Sequence, residues 1–178
     1  MQRSRLGILP YYGIALLVFV IDYITKKIIE RNLELYEQIP VIGDFFLITS
    51  IRNRGAAFGI LQGQRTFFVI VTIVVAAGII WYLHRSYRKG HPMLPTALAL
   101  VLGGAIGNFL DRAIYGEVVD FLQFNFGNWT FPIFNMADTF LVCGVALIIL
   151  DTFLEERRSK DKNKENETDD NGEEQQLV

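Results

Sequence analysis

Four long stretches without charged residues constrain the fold of this chain more than any other feature. They cover residues 6–21, 66–83, 92–110 and 139–150 of the 178-residue sequence. A bilayer core about 30 Å thick is crossed by about 20 mainly apolar residues in an α-helix. With their flanking residues, the stretches predict an all-α polytopic membrane protein whose four transmembrane helices cover about 6–29, 66–83, 92–112 and 137–154. We expect residues 1–154 to form a single membrane domain.

The first span has to be distinguished from a cleaved signal peptide, because Arg3 and Arg5 precede its apolar run. No small-residue cleavage pattern follows this run, and the chain continues instead with Asp22, Lys26 and Lys27. This continuation favours an uncleaved helix.

The last 24 residues, 155–178, differ in composition from the rest of the chain. They contain nine acidic and five basic residues, with no apolar cluster before Leu177. Because such a segment buries too little apolar surface to fold, we predict a disordered, charged cytoplasmic tail.

The other 154 residues carry twelve Lys and Arg against ten Asp and Glu, which leaves no basic face for nucleic acid. The single cysteine, Cys143, cannot form an internal disulfide, and no Cys/His spacing suits a metal, so we expect no metal and no cofactor.

Basic residues in short connections predict the orientation of the spans. Arg85 and Arg88 lie between the second and third spans, and Arg157 and Arg158 follow the fourth. This distribution places both termini in the cytoplasm, although six Lys and Arg also fall between residues 26 and 65.

Two long segments, 30–65 and 111–136, would then lie on the outer face. The alternation in VIGDFFLITSIRN (41–53) predicts a small sheet or hairpin on the membrane surface. The stretch FLQFNFGNWTFPIF (121–134) is interrupted by Asn, Gly and Pro, so we predict an interfacial loop with Trp129 at headgroup level.

Acidic residues at the predicted outer ends of the spans are candidates for chemistry, because ionisable groups near a bilayer core are costly. They are Asp22, Asp111, Asp120 and Asp138. Two carboxylates brought together in apolar surroundings cannot both ionise easily, so one becomes an acid and the other a base at the same pH. An aspartic protease activates water in this way. No G-x-S-x-G motif is present and Cys143 has no nearby histidine, so no competing nucleophile is evident.

Each of these acids also has a structural interpretation. Asp138 could cap the fourth helix, and Asp120 could be a solvated loop carboxylate. Asp111 could form an ion pair with the arginine that follows it. Asp22 could pair with Lys26 one helical turn later.

Two glycine-rich stretches have structural interpretations as well. Gly103 and Gly107 form a G-x-x-x-G pair in the third span, which permits close helix packing. The stretch lacks the Lys-Ser/Thr of a phosphate-binding loop. Gly55 and Gly59 repeat the spacing before the second span, where they indicate packing or a flexible turn.

Four sequence blocks, taken together and in this order, resemble the signature blocks of bacterial lipoprotein signal peptidase, also called signal peptidase II. They are NRGAAFG (53–59), GGAIGNFLDR (103–112), VVDF (118–121) and FNMAD (134–138). The resemblance covers about residues 6–154 with a matching four-span layout, and only the acidic tail lies outside it. It implies a membrane aspartic endopeptidase that removes signal peptides from prolipoproteins by cleaving on the amino side of a diacylglyceryl-modified cysteine.

The resemblance also implies roles for individual residues. Asp120 and Asp138 would be the catalytic pair, in which one aspartate activates water and the other protonates the scissile carbonyl. Further polar residues would line the site and hold substrate or catalytic groups: Asn53, Asn108, Arg112 and Asn135. A third set would support the structure: Asp22, Asp111, Gly55, Gly104 and Gly107. The segment around 35–52 would form an extracytoplasmic β-cradle, and the segment between the third and fourth spans a mobile interfacial helix.

The implied protein is a monomeric, multi-pass enzyme of the bacterial cytoplasmic membrane, with its active site at the extracytoplasmic face. Its partners would be diacylglyceryl-modified prolipoproteins and membrane lipid, and family-type cyclic peptide antibiotics would inhibit it. The alternative is a non-enzymatic transporter or proton-relay subunit, although transporters place such acids near the midplane and often contain an internal repeat. A presenilin-type protease would require a Gly-x-Gly-Asp pattern within a span, and the sequence has none.

Overall fold

The computed structural model describes residues 7–56, 60–89 and 91–174. Within these ranges the chain forms α1 (Leu9–Asn32), β1 (Gln38–Ile42), β2 (Phe46–Asn53), α2 (Arg65–Ser86), a short 3-10 helix (Tyr87–Lys89), α3 (Met93–Ile114), β3 (Val118–Phe126), β4 (Trp129–Thr130) and α4 (Met136–Glu174). Some features of the sequence analysis lie outside the described residues: Arg3, Arg5, the start of the first span, residues 57–59 of the first signature block and residues 175–178 of the tail.

All four predicted spans form helices, and their ends differ from the expected ones by a few residues except in α4, which continues to Glu174. Among the described residues, three helices are long and apolar enough to cross a membrane: α2, α3 and the part of α4 from Met136 to Lys160. Helix α1 is not one of the three. Its C-terminal half carries the charged residues Asp22, Lys26, Lys27 and Glu30.

Helix α3 lies at the centre of the bundle and packs against α1, α2 and α4. In its apolar window 67% of the residues are buried, against 11% in α2 and 17% in α4. Glycines permit this close packing, since a Cβ on Gly103 would lie 2.5 Å from the carbonyl oxygen of Ala15 in α1. A Cβ on Gly104 would lie 2.6 Å from the carbonyl oxygen of Ala137 in α4. The apolar side chains that α2 and α4 leave exposed form an outer surface suited to lipid.

The strands of the described ranges form one antiparallel sheet in the order β1-β2-β3-β4. Strands β1 and β2 are a hairpin, as the alternation in residues 41–53 predicted. Strand β3 pairs with β2 from Phe46 opposite Phe124 to Asn53 opposite Val118. The sheet lies at the end of the bundle where α1 and α3 finish and α2 and α4 begin.

The segment between the third and fourth spans is not the interfacial loop or helix that the sequence analysis predicted, because it forms β3 and β4. From Leu122 to Phe126 the strand alternates apolar side chains with Gln and Asn, the period of a strand with two different faces. In the sequence, Gly127 indicated a break in any regular element of this segment. In the structure Gly127 has φ +63° in the turn between β3 and β4, so this break is the turn of a hairpin.

The C-terminal segment also differs from the expectation of disorder, because α4 continues to Glu174. Glu, Lys and Arg are good helix formers, and Lys160 pairs with Glu156 one turn earlier at 2.7 Å. The lack of apolar residues led to the expectation of disorder, whereas the helix propensity of the charged residues accounts for the helix.

The contact at Gly104 generates a first prediction. Gly104→Ala should lower the free energy of unfolding by about 1–3 kcal/mol, since the new Cβ would overlap the backbone of Ala137. The matched control is Gly78→Ala in α2, where a Cβ meets nothing within 4 Å. This control should leave stability unchanged or raise it slightly. Thermal unfolding of both variants in detergent measures the difference, and equal melting temperatures would contradict the packing described.

Candidate active site

Strand β3 places Asp120 in the interior of the protein. Asp120 lies opposite Ile51 of β2 and is only 2% exposed. Its neighbours Val119 and Phe121 pack with Ile29 of α1. Because side chains alternate along a strand, Asp120 is directed to the opposite face. The interpretation of Asp120 as a solvated loop carboxylate is therefore wrong.

Asp138 lies in the first turn of α4, where it forms a capping box with Asn135. The Asp138 N–H donates to Asn135 Oδ1 at 3.0 Å, and the Asn135 N–H donates to Asp138 Oδ2 at 3.2 Å. This reciprocal pairing satisfies two donors at the start of the helix. The other carboxylate oxygen, Oδ1, accepts a hydrogen bond from Asn108 Nδ2 of α3 at 2.8 Å. Asp138 thus caps its helix and also faces the neighbouring helix.

Asparagine side chains hold Asp120 in the same manner. Asn135 Nδ2 donates to Asp120 Oδ1 at 2.7 Å, and Asn53 Nδ2 donates to Asp120 Oδ2 at 2.9 Å. Backbone groups that can only donate fix the orientation of these amides, because the Gly55 N–H donates to Asn53 Oδ1 and the Asp138 N–H donates to Asn135 Oδ1. All four oxygens of the two carboxylates therefore accept an N–H, and Asn135 contacts both acids.

Both carboxylates line a cavity of about 500 Å³. Its polar wall consists of Asn53, Asn108, Arg112, Asp120, Asp138 and Thr139. Its apolar wall consists of Val118, Phe131, Pro132, Ile133, Phe134, Leu141, Val142 and Cys143. The structure thus brings both predicted acids and three of the four predicted site-lining residues to one place. The fourth, Asn135, is fully buried behind them.

The apolar surroundings change the ionisation of Asp120. Burial, and secondly the negative charge of Asp138, raise the pKa of Asp120 to about 7. The hydrogen bonds from Asn53 and Asn135 and the positive charge of Lys26 act in the opposite direction. Asp120 is therefore able to hold a proton near neutral pH, as a general acid must.

A buried ion cluster lies behind the cavity. Lys26 Nζ lies 2.7 Å from Asp22 Oδ2 and 2.7 Å from Asp111 Oδ2, so the predicted pair between Asp22 and Lys26 is formed. Asp22 Oδ1 also accepts the N–H of Ala137, at the start of α4, at 2.8 Å. Gly107 makes room for this cluster, because a Cβ there would overlap the Asp22 carboxylate.

Arg112 extends from the end of α3 towards the loop before α2. Its Nη2 donates to the carbonyl oxygen of Gly55 at 2.9 Å, and its guanidinium lies 4.8 Å from the centre of the Phe68 ring. The predicted ion pair between Asp111 and Arg112 is wrong, since Asp111 faces Lys26 and no ion pair joins the two described side chains. Arg112 Nε is buried without a hydrogen-bond partner among the described residues, which leaves one donor unpaired in a residue that lines the cavity.

Two residues of the site were not identified by the sequence analysis. Lys26 was assigned only its pairing with Asp22, but its Nζ also donates to Asn108 Oδ1 at 2.9 Å. This contact joins residues 82 positions apart, so no local spacing could reveal it. Cys143 was assigned no role, because it cannot form an internal disulfide and has no nearby histidine, but it contributes to the cavity wall.

The fold and this site define a membrane protein in which a buried and a partly buried carboxylate share a largely apolar cavity at one end of a helix bundle. Comparison with known proteins identifies the family. The model of the signal peptidase II family matches residues 14–154, and the chain belongs to this family. The lipoprotein signal peptidase of Bacillus pumilus is 50% identical over 151 residues, which are 85% of this chain and 97% of that protein. The lipoprotein signal peptidase of Bacillus subtilis is 49% identical over 150 residues, which are 84% of this chain and 97% of that protein.

Solved structures agree with this assignment. A bacterial membrane enzyme determined by the in meso method at 2.3 Å resolution has a TM-score of 0.80 and 38% identity, covering 88% of this chain and 94% of that one. A second, at 1.9 Å resolution, has a TM-score of 0.76 and 39% identity, covering 85% of this chain and 97% of that one.

The raised pKa of Asp120 predicts how stability depends on pH. Between the ordinary value of 3.8 and about 7 the folded state holds a proton that the unfolded state has lost. The contribution of Asp120 to stability should therefore decrease by on the order of 1 kcal/mol per pH unit across this window and level off above it. Asp120→Asn has no such proton. The free energy of unfolding of this variant, relative to that of wild type, should therefore rise between about pH 4.5 and about pH 7. Unfolding in detergent at several pH values measures this difference, and a constant difference would contradict the buried acid.

Proposed function

We propose that this chain hydrolyses prolipoproteins on the amino side of a diacylglyceryl-modified cysteine, with Asp120 as general acid and Asp138 as general base. Removal of signal peptides from prolipoproteins is the activity of the signal peptidase II family, to which the chain belongs. The observation that supports the catalytic pair most directly is the shared cavity, in which both carboxylates are held by N–H donors on every oxygen.

The surroundings of the two acids support this division of roles. Asp120 has a pKa of about 7 because it is buried in a strand and lies near a second negative charge. Asp138 lies in the first turn of a long helix, where the positive end of the helix dipole favours a carboxylate. One proton shared by the pair therefore belongs on Asp120, and Asp138 is the ionised partner.

The reaction follows from this arrangement. Asp138 removes a proton from a water molecule as the water oxygen bonds to the scissile carbonyl carbon, and Asp120 gives its proton to the carbonyl oxygen. When the tetrahedral intermediate collapses, Asp138 passes its proton to the leaving amide nitrogen and Asp120 recovers a proton from the hydroxyl group. The C–N bond breaks without a covalent acyl-enzyme, and both acids return to their starting states.

The cavity suits a substrate that is itself partly apolar. Its wall of aromatic and aliphatic side chains from the 131–134 segment and α4 borders the polar group directly. A signal helix or an acyl chain can contact this wall while the peptide bond reaches the carboxylates. A cyclic peptide antibiotic that filled the same cavity would compete with the substrate.

The membrane arrangement that fits this function has four spans, with α1 as the additional one. α1 packs along α3 in the centre of the bundle and ends at the sheet, as α3 does. With both termini in the cytoplasm, the sheet and the cavity would lie at the extracytoplasmic face of the bacterial cytoplasmic membrane. One cavity with both acids in one chain requires no second copy. The transporter alternative would need ionisable residues along a path across the membrane, whereas these acids cluster at one end of the bundle.

Removing either carboxylate should slow cleavage by orders of magnitude. Asp120→Asn and Asp138→Asn should each slow hydrolysis of a diacylglyceryl-modified prolipoprotein by about 100- to 10,000-fold, the usual contribution of a general acid or base. Asp44→Asn, which removes an exposed acid in the turn between β1 and β2, is the matched control and should cleave like wild type. A gel-shift assay in detergent, with lipidated and unlipidated substrate, measures the rates. Near-wild-type turnover by Asp120→Asn or Asp138→Asn would refute the catalytic pair, and an inactive wild type would return the transporter alternative.

The assignment of Asp120 as the acid predicts the alkaline side of the pH–rate profile. Because the acid must be protonated and its pKa is about 7, kcat should decrease by about tenfold per pH unit above that value. Initial rates at saturating lipidated substrate, measured between about pH 5 and pH 9, give the profile. A kcat that stayed constant to about pH 9 would contradict this assignment.

A further inference from the structure

A lysine ammonium is buried directly behind the two carboxylates. Lys26 is 3% exposed, and its Nζ contacts Asp22 Oδ2 at 2.7 Å, Asp111 Oδ2 at 2.7 Å and Asn108 Oδ1 at 2.9 Å. Burying an ammonium costs several kcal/mol unless its partners compensate, and the two aspartates provide that compensation. The third contact goes to a neutral amide that itself reaches the site.

The contact with Asn108 determines which way this amide points. An ammonium can only donate, so the atom facing Lys26 has to be the amide oxygen. Asn135 Nδ2 donates to the same oxygen at 3.1 Å. The amide nitrogen of Asn108 is therefore left for Asp138 Oδ1, at 2.8 Å. In the reverse orientation the amide oxygen would face a carboxylate oxygen, and Asp138 Oδ1 would lose its donor.

The attachment of α1 to the start of α4 does not require Lys26. Asp22 makes that connection, since its Oδ1 accepts the N–H of Ala137 and its carboxylate occupies the space left by Gly107. Through Asn108 the bond from Lys26 reaches two side chains at the start of α4, Asp138 and Asn135. Its consequence at the cavity is the placement of the Asp138 side chain, because Asn135 lies behind the cavity wall.

The charge of Lys26 also acts on the other acid. The charged groups around Asp120 are Asp138 from α4, Lys26 from α1 and Arg112 from α3, and Asn53 of β2 adds a hydrogen bond. Among them, the positive charge of Lys26 lowers the pKa of Asp120, against the larger effects of burial and of Asp138. Removing this charge should raise the pKa of Asp120 further.

We propose that Lys26 is a positioning residue of the hydrolysis: its buried ammonium orients the amide of Asn108, and this amide holds the carboxylate of Asp138 towards the substrate. The inference rests on the proposed function, since it assigns the base that Lys26 positions. Lys26 touches neither substrate nor water in this scheme, and it acts only through Asn108 and through its charge.

The test compares Lys26→Met with Lys27→Met, its neighbour in sequence. Lys27 is partly exposed and pairs with Glu30 on the surface of α1, so its removal takes away a charge without touching the network. Lys26→Met should lower kcat on the order of 100-fold, the cost of misplacing a catalytic group, with KM changed less than about threefold. Its residual activity should persist to higher pH than that of wild type, by roughly one pH unit. Lys27→Met should match wild type in all three readouts.

A second variant separates positioning from folding, because Lys26→Met leaves two buried carboxylates without a cation. The double variant Asp22→Asn/Lys26→Met removes one of those charges and keeps an oxygen for the Ala137 N–H. A folded double variant that is still about 100-fold slower than wild type supports the proposal. A wild-type kcat in either folded variant overturns the proposal. An unchanged alkaline side of the pH–rate profile overturns it as well. If neither variant folds, Lys26 is a folding residue and the proposal is withdrawn. Wild-type cleavage and its loss in Asp120→Asn test the proposed function separately in the same assay.

Discussion

The site depends on a buried carboxylic acid that keeps its proton beside a second carboxylate. An isolated charge on β3 would be costly in these surroundings, and the protonated form of Asp120 avoids this cost. In the proposed mechanism Asp138 is the ionised partner, because it lies at the start of a helix, whose dipole favours its charge. The difference between a strand interior and a helix N-terminus would then give two chemically identical side chains the different roles proposed for them. Asn135 connects the two environments, since it caps the helix and donates to the strand residue.

The architecture around this pair serves to bring a strand and three helices to one point. Small residues on α3 let α1 and α4 approach closely, and Gly107 provides the space into which the carboxylate of Asp22 fits. The cation of Lys26 then connects α1 to α3 behind the cavity. Each contact is short and lies among buried groups, where an unpaired polar atom would be costly. The close helix packing and the polar network therefore depend on each other. A larger side chain at one of these glycines would displace the helices that position the carboxylates.

Much of this could be predicted from the sequence, because local patterns determine it. The lengths of the uncharged stretches predicted the helices, and the alternation of apolar and polar residues predicted the β1–β2 hairpin. The four signature blocks contain the acids and asparagines that meet at the cavity. The rest depends on partners distant in the chain. Strand β3 is stabilised by β2, more than 60 residues earlier, so Asn125 within the strand and Gly127 after it indicated a loop instead. The contact of Lys26 with Asn108 has no local pattern, and its pairing with Asp22 gave it an adequate local explanation.

An infrared titration of the carboxyl groups in the purified enzyme tests directly whether Asp120 holds a proton. A protonated carboxyl absorbs at a different frequency from a carboxylate, so difference spectra against pH report the proton itself. The buried Asp120 should give a protonated-carboxyl band that disappears as the pH rises through about 7, its pKa, and that is absent from Asp120→Asn. A band that persisted unchanged in Asp120→Asn, or a wild type without a carboxyl proton at neutral pH, would contradict this prediction.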